Sequence, residues 1–261
     1  MTELVGDSGE KGFAHPFVTA DGLTLWVDRA GGGRFEVFRG NRASRSVPFR
    51  TLERVPGLEQ SNVTPYPSSA RDGEVLVMVA GVRADIALRA EQPDGGWSLT
   101  TIDQRPDNEA WPTLSGDGTL AVFLYFEAEP PLRFFDVAFV DRARAVDGEP
   151  WSRLAGLVDR LPDGGSALPN GRRIETPGLA PDGLGLFYSV DGRVFYVARP
   201  NRTAPFFTAA TQPIAIPALD AEKDATSTTT AVRSQTADGC EVYLTSNRDG
   251  TDDIYVAERG P

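Results

Sequence analysis

The residues of this chain best suited to chemistry are one histidine, a few aromatics and several carboxylates. His15 is the sole histidine and Cys240 the sole cysteine. One imidazole cannot build a multi-histidine zinc, copper or haem site. One thiol allows neither an intrachain disulfide nor a thiolate zinc site. An imidazole acts as a general base when it stands within hydrogen-bond reach of its proton, and Glu109 or Glu175 beside His15 would make a catalytic set. The acidic groups Asp107 with Glu109, Glu127 with Glu129, and Glu175 could supply acid and base for glycoside chemistry. They could also hold a calcium ion through oxygen, although solvated loop charge is the simpler reading. No cofactor is expected, and oxygen-ligated calcium is the one ion the composition leaves open. No Gly-x-Ser-x-Gly elbow is present, which gives no support to an α/β-hydrolase nucleophile.

These residues belong to a repeat. Asp-Gly recurs at Asp21-Gly22, Asp72-Gly73, Asp117-Gly118, Asp182-Gly183 and Asp238-Gly239, preceded by HPFVTA, YPSSAR, WPTLSG, TPGLAP and VRSQTA. In the fifth copy Arg233 stands where the others have proline. Asp-Gly is a tight-turn signal, because glycine accepts positive φ without a Cβ clash. A β-rich run follows each anchor: LTLWV, EVLVMV, TLAVFLYF, LGLFYS and CEVYLTS. A second run follows: FEVFRG, ADIALRA, FDVAFVDR, RVFYVAR and DDIYVAER. An aromatic then opens a further strand, at Phe49, Trp97, Trp151 and Phe206 or Phe207. Each copy therefore holds about four short antiparallel strands, which cannot bury both faces alone and must stack on neighbours. The expected fold is all-β: one domain over residues 1–261, a five-bladed β-propeller of four-stranded blades. Residues 2–6 would pair with the last blade and close the ring. The segment 150–162 suits an outer strand better than a short helix.

The register of the repeat aligns candidate ligand-binding residues. Six residues before each anchor aspartate stand His15, Tyr66, Trp111, Thr176 and Val232. Two residues earlier stand Phe13, Thr64, Glu109, Ile174 and Thr230. Residues two apart on a strand share a face, so one ring would line the mouth of the channel, or its aromatics would wedge between blades as core. With Asp107 and Glu175, the candidate set is His15, Thr64, Tyr66, Asp107, Glu109, Trp111 and Glu175. Aromatic faces stack on ligands and carboxylates bind hydroxyls, which suits a sugar or other small polar ligand. The Asp-Gly turns fall at the opposite end, and their aspartates read as structural. Cys240 reads as a packing residue rather than a nucleophile.

With 37 acidic and 26 basic residues the formal charge is −11. This would repel a phosphate backbone, and no nucleic-acid partner is expected. No apolar run approaches the ~18 residues needed to span a bilayer, so no membrane insertion is expected. The N-terminus lacks a basic segment followed by an apolar one, and the sequence as written reads as cytoplasmic. It would read as periplasmic or secreted had a signal peptide been removed.

The repeat resembles the WD40-like PD40 repeat of TolB-type propellers. LSGDG at 114–118, APDG at 180–183 and TSNRDGTDDIYVAERG at 245–260 carry the likeness. The resemblance covers nearly the whole chain and implies the propeller fold. It implies no catalytic residue, because no catalytic motif is matched. Three roles follow as expectations: a module binding a small polar ligand, sugar or peptide at the channel mouth; a hydrolase or lyase using His15 with Glu109 or Glu175; or a scaffold that binds a protein partner.

Overall fold

The structure is a computed structural model describing residues 2–3, 12–31, 33–60, 64–71, 73–80, 84–102, 108–126, 135–141, 152–153, 175–190, 192–208, 212–220, 230–246 and 253–258. Among these residues the chain forms four-stranded antiparallel sheets, five in all. After β1 (Thr2–Glu3), the first sheet holds β2 (Phe13–Val18), β3 (Thr24–Gly31), β4 (Arg34–Asn41) and β5 (Glu53–Arg54). The second holds β6 (Ser68–Arg71), β7 (Glu74–Ala80), β8 (Ala84–Glu91) and β9 (Trp97–Thr101). The third holds β10 (Asn108–Leu114), β11 (Leu120–Phe126), β12 (Phe135–Asp141) and β13 (Ser152–Arg153). The fourth holds β14 (Glu175–Leu179), β15 (Gly185–Val190), β16 (Arg193–Ala198) and β17 (Ile214–Ala215). The fifth holds β18 (Thr230–Gln235), β19 (Glu241–Ser246) and β20 (Asp253–Glu258), and takes β1 as its outer strand. Thr2 pairs with Val256 and Glu3 with Tyr255. The chain's first strand thus completes its last sheet and covers an edge that would otherwise be open.

The first strands of successive sheets contact one another around the axis: β2 meets β6, β6 meets β10, β10 meets β14, β14 meets β18, and β18 returns to β2. This is a β-propeller. Its core lies between sheets, which explains why the second strand of each repeat reads as a nearly unbroken apolar run. Alternate side chains of β3 enter different layers: Trp26 packs toward the second sheet with Leu58 and Leu76, while Leu25 and Val27 pack toward the fifth with Tyr243 and Ile254.

The Asp-Gly turns carry the geometry that their sequence demands. Gly22, Gly73, Gly118, Gly183 and Gly239 have φ of 77°, 73°, 68°, 72° and 67°. The aspartate carboxylates receive backbone N–H groups two residues on: Leu23 for Asp21, Thr119 for Asp117, Leu184 for Asp182 and Cys240 for Asp238. Asp72 lies outside the described residues. Cys240 is exposed, so it does not pack into the core as its place in the repeat suggested. It stands in the turn, one residue before the strand begins.

The outer strands differ in detail from the expectation. Among the described residues only Trp97 opens one, and Trp151 lies outside them. Phe49 and Phe206 are buried in loops, where the guanidinium groups of Arg42 and Arg199 stack on them at 4.6 and 4.3 Å. Each arginine also donates from Nε to the carbonyl of its own turn glycine, Gly22 or Gly183. Ser152–Arg153 pair with β12, and residues 154–161 lie outside the described set.

A polar latch joins the first and fifth sheets at the turn end. Glu241 accepts from Arg42 Nη2 at 2.7 Å, Arg45 Nε at 3.1 Å and Tyr243 Oη at 2.7 Å, and Arg45 also reaches Asp238. Burial pushes the Glu241 carboxyl up, but these donors outweigh it and hold it below the usual range. A carboxylate with a depressed folded-state pKa stabilises the fold above its unfolded pKa, about 4.3 for Glu. That contribution is lost as pH falls through the folded value, because there the unfolded chain binds more protons. The melting temperature should therefore fall as pH drops below about 4. Glu241→Gln should show a lower plateau at neutral pH and a shallower acid slope, measured by thermal melts across the pH range.

Candidate functional site

The innermost strands carry an irregularity at the end away from the Asp-Gly turns. The ladder between β2 and β3 shifts between Ala14 and Phe17, that between β10 and β11 between Ala110 and Thr113, and that between β14 and β15 between Glu175 and Gly178. Each shift inserts one extra residue, a bulge that re-aims the side chain. His15, Tyr66, Trp111 and Thr176 occupy this place with φ of 51°, 48°, 53° and 42°. They are the only non-glycine residues with positive φ among those described. Left-handed backbone costs an L-residue roughly 1–2 kcal/mol, and it is least tolerated by a β-branched residue such as Thr176. In the fifth sheet Val232 does not turn left-handed. There the extra residue is Arg233.

The bulges bring the aromatics together. The His15 and Tyr66 rings lie 4.1 Å apart between centroids, and Tyr66 and Trp111 5.7 Å apart. Asp28 of β3 underlies them. Its side chain is 2% exposed, against 21% for His15. Its Oδ1 lies 2.9 Å from His15 Nδ1, and its Oδ2 accepts from the backbone N–H of Tyr66 at 3.0 Å. Thr245 serves the backbone in the same way in the preceding sheet around the ring, where its Oγ1 accepts from the N–H of His15 at 2.9 Å. Burial, and then the Asp28 charge, push the Tyr66 hydroxyl up, with hydrogen bonding from Thr64 and Trp111 acting the other way.

Of the residues singled out from sequence, His15, Thr64, Tyr66 and Trp111 converge here. Glu109 is buried and its Oε2 accepts from the backbone N–H of Ile86 at 2.7 Å. That contact ties β10 to β8 of the preceding sheet, and the carboxylate beside His15 is Asp28. Glu175 lies on β14 opposite Ser189. Its side chain, like Asp107, Glu127 and Glu129, lies outside the described residues. No group of three or more His, Cys, Asp or Glu among the described residues could hold a metal ion, and none of their helices is long and apolar enough to cross a membrane.

Two site residues escaped the sequence reading. Asp28 ends the apolar run of β3, at a place held in the other copies by Val79, Leu124, Ser189 and Thr245. One acid among neutral equivalents was the available signal. Arg233 was visible only as the residue that displaces proline. It is 1% exposed, donates from Nη2 to the carbonyl of Pro112 at 2.9 Å, and stands over the Tyr66 ring at 5.5 Å.

No family model matches the chain, and no curated protein matches it in sequence. Solved structures resemble it in fold. TolB from Acinetobacter baumannii is 15% identical with a TM-score of 0.50, covering 79% of this chain and 44% of its own. The chain therefore spans less than half the length of that protein. An endo-arabinase from Bacteroides thetaiotaomicron is 12% identical with a TM-score of 0.59, covering 100% of this chain and 98% of its own. A thermostable family-43 glycoside hydrolase is 12% identical with a TM-score of 0.58, covering 100% and 96%. At these identities the likeness is one of backbone, and it shows that the chain is a β-propeller.

Proposed function

We propose that the chain is a closed five-bladed ring that binds a small polar ligand, sugar or peptide, at the mouth formed by His15, Tyr66 and Trp111. The observation that carries this reading is the set of left-handed non-glycine residues at one place in four copies of the repeat. Backbone strain of this kind persists where the surrounding structure enforces it, and it clusters at ligand sites. Here it presents two aromatic faces and an imidazole around one axis. Stacking aromatics that each carry a polar tip suit a hydroxylated ligand.

The test is a thermal-shift screen with sugars, peptides, nucleotides and divalent cations on the wild type and Trp111→Ala. A ligand that binds only the folded state raises the melting temperature by mass action. Loss of Trp111 should weaken such a ligand by about 2 kcal/mol, roughly 30-fold. A ligand shift undiminished in the variant places that ligand elsewhere. No shift with any ligand defeats this reading and leaves the scaffold for a protein partner.

A second reading, a hydrolase or lyase, draws on one observation. Asp28 holds His15 through Nδ1, an arrangement that leaves Nε2 to take a proton. The endo-arabinase and the family-43 glycoside hydrolase share this backbone over its full length, which makes arabinans and related polysaccharides the first substrates to assay. Turnover abolished in His15→Gln and strongly reduced in Asp28→Asn would establish it.

A further inference from the structure

We propose that Arg233 receives the carboxylate of a small hydroxylated acid bound at the channel mouth, an inference that rests on the mouth being a ligand site. Pro16, Pro67, Pro112 and Pro177 occupy one place in four copies of the repeat, and the fifth has arginine. The side chain leaves β18 and crosses the axis. Its Nη2 donates to Pro112 in the third sheet and its guanidinium covers Tyr66 in the second, the two sheets that do not adjoin the fifth. Arg233 therefore lies across the channel beside the aromatics of the mouth.

Its donors are not used up. Among the described residues, Nε and Nη1 are buried with no hydrogen-bond partner. Arg89 Nε is also buried without a partner, but Arg199, the other arginine that is buried among the described residues, behaves differently. Arg199 places Nε and Nη2 on the carbonyl of Gly183 and Nη1 on that of Ala204. An arginine kept only to brace the ring would find carbonyls in the same way, since an unmet buried donor opposes folding. Among the described residues the Asp28 carboxylate is engaged by His15 Nδ1 and the Tyr66 N–H, and not by Arg233. Burial lowers the guanidinium's pKa to about 10, which leaves it charged at neutral pH.

A guanidinium with unpaired buried N–H groups calls for an oxyanion. One such cation among the described residues of the mouth, in a chain of net charge −11, favours a monoanion over a phosphate of higher charge. The tyrosine, tryptophan and histidine around it favour a body bearing hydroxyl groups. A carboxylate on a sugar-like body meets both demands.

The experiment pairs acids with their neutral counterparts: glucuronate with glucose, galacturonate with galactose, and gluconate with glucitol. Binding is measured by calorimetry on the full chain, and the arginine Nε–H resonances are followed by NMR. At least one acid should bind 10-fold or more tightly than its neutral partner. It should shift one Nε–H resonance, assigned to Arg233 by its loss in Arg233→Lys. Arg233→Met should erase the preference. Acids and neutral partners that bind equally, or a preference kept in Arg233→Met, would overturn the role of Arg233 and leave the mouth a binding site. An acid that binds without moving the Arg233 resonance overturns it too, and this result needs no variant to fold beyond the one used for assignment. If no member of any pair binds, this inference falls, and the reading beneath it is decided by the wider thermal-shift screen.

Discussion

Alanine at position 178 should lower the melting temperature by on the order of 10 °C, because the added methyl group meets backbone that cannot swing aside. Gly178 sits on β14 where the innermost strands of the fourth and fifth sheets approach. A Cβ there would fall well inside van der Waals contact with the carbonyl oxygen of Val232 and 3.1 Å from its carbonyl carbon. Those atoms are backbone, so no side chain can swing aside. The equivalent places hold Phe17, Ser68, Thr113 and Ser234, all buried. Position 178 alone among the five is a glycine, beside the one first strand that bulges at an arginine. Overpacking costs typically 1–3 kcal/mol, and a backbone collision belongs at the upper end. About 3 kcal/mol converts to roughly 6–12 °C for a chain of this size. Gly95→Ala is the control. It has open space around it but a φ of +80°, and should cost only about 1 kcal/mol. The shift of β18 that Gly178→Ala forces would also move Arg233, so the variant should lose ligand response in the same melts. Equal melting temperatures for the two variants would refute the packing account.

The features of this fold that could be read from sequence are those where one residue type has one physical use. Glycine after aspartate marked every turn because the turns need positive φ. Nearly unbroken apolar runs marked the second strands because both their faces are buried, and alternation marked the third strands, which are buried less completely. The alignment of His15, Tyr66 and Trp111 could be read because the repeat fixes their register, although nothing in the sequence shows that they turn left-handed before a proline. What escaped depends on contacts between copies. Phe49 and Phe206 looked like strand openers, but the partners that hold them in loops are arginines at 42 and 199. Glu109 looked like a partner for His15, yet its carboxylate caps the N–H of Ile86 in the neighbouring sheet. Asp28 is distant from Tyr66 in sequence, and the N–H it caps belongs to the next sheet around the ring. Such pairings are set by how the copies stack, which the pattern within one copy does not encode.

Asp28→Ala should be the most damaging substitution at the site, costing on the order of 3 kcal/mol, because it removes a buried carboxylate engaged by both His15 Nδ1 and the Tyr66 N–H. Two consequences add. The backbone N–H of Tyr66 loses its acceptor at the junction of the first and second sheets, and a buried orphan donor costs about 1–3 kcal/mol. The buried Arg233 loses the carboxylate whose charge favours its protonated form. Asp28→Asn separates these effects from the placement of His15. The amide keeps an oxygen for the Tyr66 N–H while its NH2 faces Nδ1, so the imidazole must carry its proton on Nε2. Denaturant melts should show a small loss for the asparagine variant and a large one for alanine. Imidazole 15N shifts should show His15 changing tautomer in Asp28→Asn alone, as the form with Nδ1 unprotonated. On the binding reading, the asparagine variant should then keep stacking ligands but prefer those that accept a hydrogen bond from Nε2 over those that donate one. A variant as stable as the wild type with alanine at 28 would mean that the carboxylate does not hold the mouth together.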